Sequence, residues 1–312
     1  MAGFDVIGLG VNVVDILLRM PPQVQWGKKQ QVKDIVIQGG GPAATGSCVC
    51  AALGWRTGFI TNMGENTLSH IARLEFQAQH ILPDLFIEFP AARPCLAIVH
   101  VDLQTAERTI FYNLDDYHNV RPPDLPYDAL KETRVFLIDG YETDAAEAVL
   151  QVIQGTPARS VIDLETGDPD FLRRLIALGT DIILPIATAQ QVTGKETPEA
   201  VLRELATIST GQLVVTNGIE GSWALTPEGV LHQPAFQVDA VDTTGCGDVF
   251  HGAYAAGILE GLELRERLEF AAWIAAISAC YIGGRAGIPT RQQLASLDQS
   301  MLSDALKTAL RR

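Results

Sequence analysis

The stretch DTTGCGDVFHGAYAAG, residues 242–257, places two aspartates around a glycine-rich turn and then continues as small apolar residues. The glycines permit a turn that points backbone N–H groups inward, and a helix that begins there adds the positive end of its dipole. A phosphate could bind at such a point. Asp248 would lie in the first helical turn, where a carboxylate can accept a proton from an attacking hydroxyl during phosphoryl transfer. Alternatively, Asp248 only complements the helix dipole, and Asp242 or Thr243 caps the turn.

Outward from this turn, short β-branched runs alternate with stretches of helical character. The runs are FDVIGLG, RTGFITNMG, RVFLIDG, RSVIDLE, DIILP and QLVVTNG, and the helical stretches are 43–54, 66–80, 143–155, 169–178, 197–209 and 246–260. Parallel strands need long crossover connections, which helices supply. The alternation therefore predicts an α/β fold with a twisted, mostly parallel sheet covered by helices on both faces.

Two stretches break this alternation, about 12–38 and about 92–120. They contain the strand-like pieces VVDILL, QVKDIVI, CLAIVHVD and RTIFYNL without helices between them. We expect these pieces to pair as a small sheet, a lid on one α/β domain that spans 1–312. Exposed strand edges and an apolar sheet face are usually covered, so we also expect a homodimer formed through the lid.

Composition excludes several classes of protein. A hydrophobic fraction of 47% with 19% charged residues is ordinary for a soluble domain, and no apolar run is long enough to span a membrane. The net charge of −14, without a basic stripe, argues against nucleic-acid binding. Five cysteines without paired spacing, and an N-terminus without a basic region, predict reduced thiols in the cytoplasm. Six histidines show no metal-binding pattern, so no metal-ligating residue is assigned.

The 242–248 turn resembles the second signature of the ribokinase-like (PfkB) carbohydrate kinases, D-T-x-G-A-G-D, with Cys246 where the pattern has alanine. The family's first signature is matched by Gly40, Gly41, Ala43, Ser47, Gly54 and Gly64, but Thr45 replaces its asparagine. GVNVVD with Asp15, TNGIEG at 216–221 and GGRAGIP at 283–289 are similar to further family landmarks. The resemblance runs in the expected order from about residue 5 to about residue 297.

This resemblance implies a ribokinase-like three-layer α/β/α domain with a central, mostly parallel sheet and a small β-sheet lid. It also implies a kinase that moves the γ-phosphoryl group of ATP to a hydroxyl of a sugar or sugar-like acceptor. Asp248 would be the base. The amides of Gly245, Cys246 and Gly247 would form the anion hole, a task that does not depend on side-chain identity.

Other site residues follow from the same resemblance. The acceptor would meet Asn12, Asp15, Gly40, Gly41, Thr45 and Asp248, and the nucleotide would meet Thr216, Gly218, Gly221, Thr243, Arg108 and Cys280. Arg108, in AERTIFYNL, resembles an arginine of the ketohexokinase branch that reaches nucleotide phosphates; the alternative is a surface arginine. Cys280 would flank the adenine, and the alternative is a small buried thiol.

Magnesium is expected with ATP, because the triphosphate charge must be neutralised for transfer. The family usually carries N-x-x-E before an L-T-G-like turn, whereas residues 184–194 read LPIATAQQVTG. Whether a monovalent cation such as K+ orders the loop near Asp242 and Thr244 stays open. The missing motif also leaves an alternative function, a sugar or nucleotide sensor that kept the fold without efficient catalysis.

Two further side chains near the turn attract attention. Cys246 would lie at a helix N-terminus, a place that can enhance thiolate character. His251 follows Asp248 by one helical turn, and we expect it to pack in the helix interface or face solvent rather than act in catalysis.

Overall fold

The computed structural model describes residues 3–21, 23–32, 34–101 and 108–311. Its strands are β1 Val6–Leu9, β2 Val13–Arg19, β3 Ile35–Gly40, β4 Thr57–Met63, β5 Phe86–Glu88, β6 Cys95–Val101, β7 Arg108–Asn113, β8 Val135–Ile138, β9 Arg159–Asp163, β10 Asp181–Pro185, β11 Gln212–Thr216, β12 Ser222–Thr226 and β13 Gly229–Gln233. Its helices are α1 Pro42–Ala52, α2 Thr67–Ala78, α3 Tyr127–Glu132, α4 Thr143–Ile153, α5 Pro169–Leu178, α6 Ile186–Thr193, α7 Pro198–Leu205, α8 Cys246–Leu259, α9 Leu264–Ser278, α10 Arg291–Leu294 and α11 Asp304–Ala309.

Within the described residues, the large sheet has nine strands in the order β13-β12-β11-β10-β9-β8-β1-β4-β5. The strands from β11 to β5 run parallel, whereas β12 and β13 form an antiparallel hairpin at one edge. Each of the six β-branched runs is a strand of this sheet, so the predicted three-layer α/β/α class is confirmed. The edge hairpin was not predicted from the sequence.

Alternating strand residues fill two separate cores, one on each face of the sheet. Val135 and Leu137 of β8 pack with α1, α8 and α9, while Phe136 and Ile138 pack on the opposite face with α4 and α5. Successive side chains of a strand point to opposite faces, so a strand buried on both sides is apolar throughout. This explains why these strands read as continuous apolar runs.

Helices α1 and α8 cross closely because each has a glycine at the contact. A Cβ added to Gly252 would lie 2.3 Å from the carbonyl oxygen of Gly46, so a larger residue would push the helices apart. Both helices begin at the edge where the parallel strands end. The crossing therefore sets the first turns of α1 and α8 side by side.

The small sheet, made of β2, β3, β6 and β7, has the order β3-β2-β6-β7. Its strands overlap the four strand-like pieces of 12–38 and 92–120, but β3 begins only at Ile35, within QVKDIVI, and runs past 38 to Gly40. Pro22, Lys33 and 102–107 lie outside the described residues. Ile37, Ile98 and Phe111 form one row across the sheet and are exposed. Among the described helices, none has the length and apolar character needed to cross a membrane.

Candidate active site

The glycine-rich turn before α8 is held by Asp242, which is buried. One carboxylate oxygen accepts the Thr244 N–H at 2.8 Å, and the other accepts the Gly283 N–H at 2.8 Å. Gly245, the residue before α8, has φ of 72°, and a Cβ there would lie 2.7 Å from Cα of Gly284. Only glycine fits this left-handed position against the neighbouring backbone. The turn is thus fixed to the C-terminal tail segment.

The three amides expected to form an anion hole differ in their surroundings. The Cys246 N–H donates to the Thr243 carbonyl in a long bond of 3.3 Å. Gly247 is exposed, and a Cβ added there would meet nothing within 4 Å. The first helical bond is made by Val249, which donates to Gly245 at 2.8 Å. The Gly247 end of the turn therefore borders open space at the positive end of α8.

Burial raises the pKa of the Cys246 thiol to about 12, although Arg108 opposes this shift. The expected enhanced thiolate is therefore wrong. The loss of hydration around the thiol outweighs the favourable field at the start of the helix.

Asp248, half-buried in the first turn of α8, is surrounded by charges from several elements. Burial raises the pKa of its carboxyl to about 6, and the positive charges of Arg108 and Arg285 oppose this shift while Asp15 adds to it. Charged residues of the small sheet and of the tail thus act electrostatically on this carboxylate. A carboxyl with this pKa is largely ionised at neutral pH and can accept a proton.

Asp15 lies in β2 between Gln38 of β3 and Ala97 of β6, and it is 8% exposed. A Cβ on Gly40 would approach its carboxylate to 2.1 Å, so this position must be glycine. Burial raises the pKa of Asp15 to about 6, and Arg285 opposes the shift. Gly41 precedes α1 with φ of 94°, and a Cβ there would lie 2.2 Å from the Val11 carbonyl oxygen.

Asn12 and Thr45, the other expected acceptor residues, are both buried and already have partners. The Asn12 side-chain amide donates to the sulfur of Met63 at 3.6 Å, and its backbone N–H donates to the Tyr117 hydroxyl at 3.4 Å. The Thr45 hydroxyl accepts from Nε of Arg285 at 3.2 Å. At the position where the family has asparagine, the Thr45 hydroxyl is therefore bonded to the guanidinium of Arg285.

Sequence reasoning missed Arg285. It is 4% exposed, its Nη2 donates to the Gly40 carbonyl at 2.8 Å, and its guanidinium lies 5.7 Å from the ring centre of Phe76. Its Nη1 has no hydrogen-bond partner among the described residues. The sequence GGRAGIP contained a signal for Arg285. A charged residue between glycines and apolar residues needs polar partners if it is buried.

Asp139, directly after β8, was also missed. It is buried and accepts the N–H groups of Val11 at 3.1 Å, Ala43 at 3.3 Å and Tyr141 at 3.1 Å. Ala43 belongs to the first turn of α1, so this one carboxyl ties β1, β8 and α1 together. Carboxylates with several backbone donors commonly fix loops in this way.

The expected nucleotide residues lie mainly near β11. Thr216 ends β11, Gly218 begins a 3₁₀ turn with φ of 51°, and Gly221 has φ of 95°, with a Cβ there only 2.1 Å from the Gln233 carbonyl oxygen. Thr243 lies in the turn before α8. These positions border the same edge of the sheet as the α8 turn.

Arg108 and Cys280 reach this region from other elements. Arg108 is the first described residue of β7, and its charge acts on Asp248, Cys246 and Glu165. Arg108 is exposed, so the alternative of a surface arginine stays open, although its charge is felt at three groups around the α8 turn. Cys280 follows α9 and is exposed, so the alternative of a small buried thiol is wrong. The helix ends before this residue, which leaves the thiol uncovered.

Within residues 3–21, 23–32, 34–101 and 108–311, no three His, Cys, Asp or Glu side chains converge as metal ligands. The site instead combines amides at a helix N-terminus, carboxylates with pKa values near neutrality and two arginines. Such a set can hold a phosphoryl group and remove a proton from an alcohol.

Comparisons with known proteins find relatives of the whole chain in sequence and in fold. Ribokinase from Staphylococcus aureus (strain COL) is 25% identical over 309 residues, covering 93% of this chain and 98% of that protein. The crystal structure of a candidate ribokinase from Agrobacterium tumefaciens superposes with a TM-score of 0.83 at 25% identity, covering 100% of both chains. A candidate ribokinase II from E. coli, in complex with ATP and Mg²⁺, has a TM-score of 0.81 at 17% identity, covering 94% of this chain and 98% of that one.

The model of the pfkB family carbohydrate kinases matches residues 11–291, a range that contains the β2 aspartate, the glycine pair before α1 and the α8 turn. This range covers most of the chain and leaves out only its two ends. The chain belongs to the pfkB family of carbohydrate kinases, phosphotransferases whose acceptor is an alcohol.

Proposed function

We propose that this kinase transfers the γ-phosphoryl group of ATP to a hydroxyl of a sugar or sugar-like acceptor, with Asp248 as the base. One observation carries the proposal. A carboxyl with a pKa of about 6 lies in the first turn of α8, next to the exposed Gly247, and the charges of Arg108 and Arg285 act on it. This arrangement places a proton acceptor beside an anion site.

In the proposed step, the acceptor hydroxyl gives its proton to Asp248 as its oxygen bonds to the γ-phosphorus. The bond from the γ-phosphorus to the bridging oxygen breaks, and ADP leaves with that oxygen. The amides of Gly245, Cys246 and Gly247 stabilise the charge on the transferring group. The Cys246 amide requires its long bond to Thr243 to loosen, and Gly247 itself is exposed, with nothing within 4 Å of a Cβ added there.

The acceptor would lie between β2 and the start of α1. Asp15 can accept hydrogen bonds from two hydroxyls, and the N–H groups at Gly40 and Gly41 can donate to the same molecule. Asn12 and Thr45 would border this space. The relatives include a ribokinase and a 5-dehydro-2-deoxygluconokinase, so pentoses and sugar acids are the first acceptors to test.

The nucleotide would occupy the edge formed by β11 and the α8 turn. Thr216, Gly218, Gly221 and Thr243 would border it, Arg108 would bind its phosphates, and Cys280 would flank the adenine. Arg108 suits this role because its guanidinium matches phosphate oxygens and its charge already reaches Asp248.

Magnesium would arrive with ATP, and when bound it neutralises the triphosphate charge. Among the described residues no cluster of three His, Cys, Asp or Glu side chains could hold the ion, so magnesium would be bound through the phosphates and water. A monovalent cation such as K+ would lie near Asp242 and Thr244. The Thr244 hydroxyl is buried without a partner among the described residues, which supports a ligand there.

The small sheet would act as a lid on a single domain, closing over the acceptor and excluding water. Its exposed row of Ile37, Ile98 and Phe111 would be covered by a second copy of the chain. Sedimentation of the wild type and of Phe111→Asp would test this dimer. A wild type that is monomeric at micromolar concentration would refute it.

The decisive experiment measures ADP release with pentoses, ketohexoses, sugar acids, cyclitols and nucleosides. Asp248→Asn should lose about 10²- to 10⁴-fold in kcat. Asp239→Asn, an exposed aspartate in the loop before the turn, is the matched control and should retain wild-type rates. Equal turnover by Asp248→Asn and wild type would refute the base assignment. Tight ligand binding without any phosphorylated product would favour the sensor alternative.

A further inference from the structure

His251 is buried in α8, one turn beyond Gly247, and only oxygen atoms surround its ring nitrogens. Nδ1 lies 2.7 Å from the Gly247 carbonyl oxygen and 3.2 Å from a carboxylate oxygen of Asp163. Nε2 lies 2.9 Å from the Ile183 carbonyl oxygen. His251 is 2% exposed and Asp163 is 3% exposed, so neither can exchange these partners for water. The solvent-facing alternative for His251 is therefore wrong.

A neutral imidazole with an ionised Asp163 does not satisfy this arrangement. Neutral imidazole has one N–H, so its other nitrogen would turn a lone pair toward an oxygen acceptor. Two states relieve this conflict at Asp163 and Ile183, but only the first of them also gives the Gly247 carbonyl a donor. Either both ring nitrogens carry protons beside an Asp163 carboxylate, or Asp163 is protonated and donates to Nδ1 while Nε2 donates to Ile183. Both states hold one shared proton and no net charge.

Burial opposes the loss or gain of that proton. It lowers the pKa of His251, against the pull of the Ile183 and Gly247 carbonyls. Burial, followed by the charges of Glu165 and Asp248, raises the pKa of Asp163 well above its ordinary value, and Asp139 adds to this effect. Glu165 also faces His251. Removing the shared proton would leave an unpaired buried charge, and adding one would do the same.

The pair connects three elements at the edge where transfer is proposed. Asp163 ends β9, Ile183 belongs to β10, and the Gly247 carbonyl belongs to the first turn of α8. That carbonyl lies in the same planar peptide unit as the Asp248 N–H. When Nδ1 carries a proton, His251 donates to this carbonyl and fixes the peptide that joins Gly247 to the proposed base.

We propose that His251 and Asp163 share one proton and act as a positioning pair, orienting the first turn of α8 for phosphoryl transfer. This inference rests on the proposed role of Asp248. It assigns no contact with substrate to either residue.

The pair itself is tested without activity, by NMR of the ¹⁵N-histidine-labelled wild type between pH 6 and 9. The His251 signals, assigned by their absence in His251→Gln, should show no titration across this range. Exposed His70 on α2 is the reference in the same spectra. Titration of His251 with a midpoint near the ordinary ~6.5, or signals of a neutral ring lacking a bond to Asp163, would overturn the proposal.

The positioning role is tested by kinetics of His251→Gln, His251→Leu and Asp163→Asn, with His70→Gln as control. His251→Leu and Asp163→Asn should lose about 10- to 100-fold in kcat, with KM for both substrates within about threefold, because misplaced groups slow the chemical step. His251→Gln, whose amide can donate to one carbonyl, should recover part of the loss.

Wild-type kcat in His251→Leu, or a change in KM alone, would refute the positioning role. Variants that fail to fold would leave the wild-type NMR measurement as the deciding test. If no acceptor is phosphorylated at all, the proposed function fails while the spectra still decide whether the proton is shared.

Discussion

The pKa of Asp248 predicts how the rate should depend on pH. A base must be ionised to act, and a carboxyl with a pKa of about 6 loses this form as pH falls through 6. The ionised fraction is then ~0.9 at pH 7, ~0.5 at pH 6 and ~0.1 at pH 5. An aspartate with the ordinary pKa of ~3.9 would still be more than ~0.9 ionised at pH 5.

Asp15 adds a second dependence, because burial raises its pKa to about 6 as well. If free enzyme needs both carboxylates ionised, the competent fraction is the product, ~0.8 at pH 7 and ~0.01 at pH 5. We therefore expect kcat/KM to fall about 100-fold between pH 7 and pH 5, with a limiting slope near 2. In Asp15→Asn the remaining activity should fall by no more than about 10-fold over the same range, because loss of the Asp15 charge also lowers the pKa of Asp248.

The assay is initial-rate ADP release at constant ionic strength, with magnesium in excess over ATP at every pH. Each point is checked by returning the enzyme to pH 7, which separates ionisation from acid unfolding. Constant kcat/KM between pH 5 and pH 8 would refute the assignment of Asp248 as a base with this pKa. A slope near 2 that persists in Asp15→Asn would refute the role given to Asp15.

Three further predictions concern the groups around Asp248. Arg285→Met should raise the pKa of Asp15 and Asp248, because the arginine opposes the upward shift of both. The acid limb of the pH profile should then move to higher pH. An acid limb at the wild-type position would contradict this. Arg108→Gln should raise KM for ATP about 10-fold or more, because a charge-assisted contact with the phosphates is lost, while KM for the acceptor stays unchanged. Arg121, which is exposed and paired with Asp124, provides the control variant Arg121→Gln. Cys246→Ala should keep kcat within about twofold, because the proposed role uses the backbone amide. The wild-type thiol should react slowly with iodoacetamide at pH 7, since its pKa is about 12, and rapid selective alkylation would contradict this.

Much of the large sheet could be predicted from local signals. The run RVFLIDG predicts a strand buried on both faces, and β8 is one, because an apolar stretch bounded by a polar turn has few other stable conformations. The glycines around Cys246 predict a turn into a helix, and α8 begins there. The edge hairpin of β12 and β13 lacked such a signal, since its strands are only partly buried and mixed in character.

The site residues also divide into those that a local motif predicts and those that it does not. Asp15, Gly40 and Gly41 were predicted as site residues from the resemblance of short motifs to the family, whereas Arg285 and Asp163 were not predicted. Arg285 meets Thr45 across 240 residues of sequence, and His251 meets Ile183 across 68. No local sequence pattern predicts which distant residue will contact a buried polar or charged side chain.

The sequence by itself determined the alternation of parallel strands and helices and the turn that starts α8, because glycine conformation and hydrophobic periodicity act over a few residues. Only the tertiary structure decided the protonation chemistry. Burial and opposing arginines set the pKa of Asp248, and burial together with two carbonyls defines the environment of His251. These effects depend on distances between groups far apart in the chain, which exist only once the sheet, α1 and α8 have packed together.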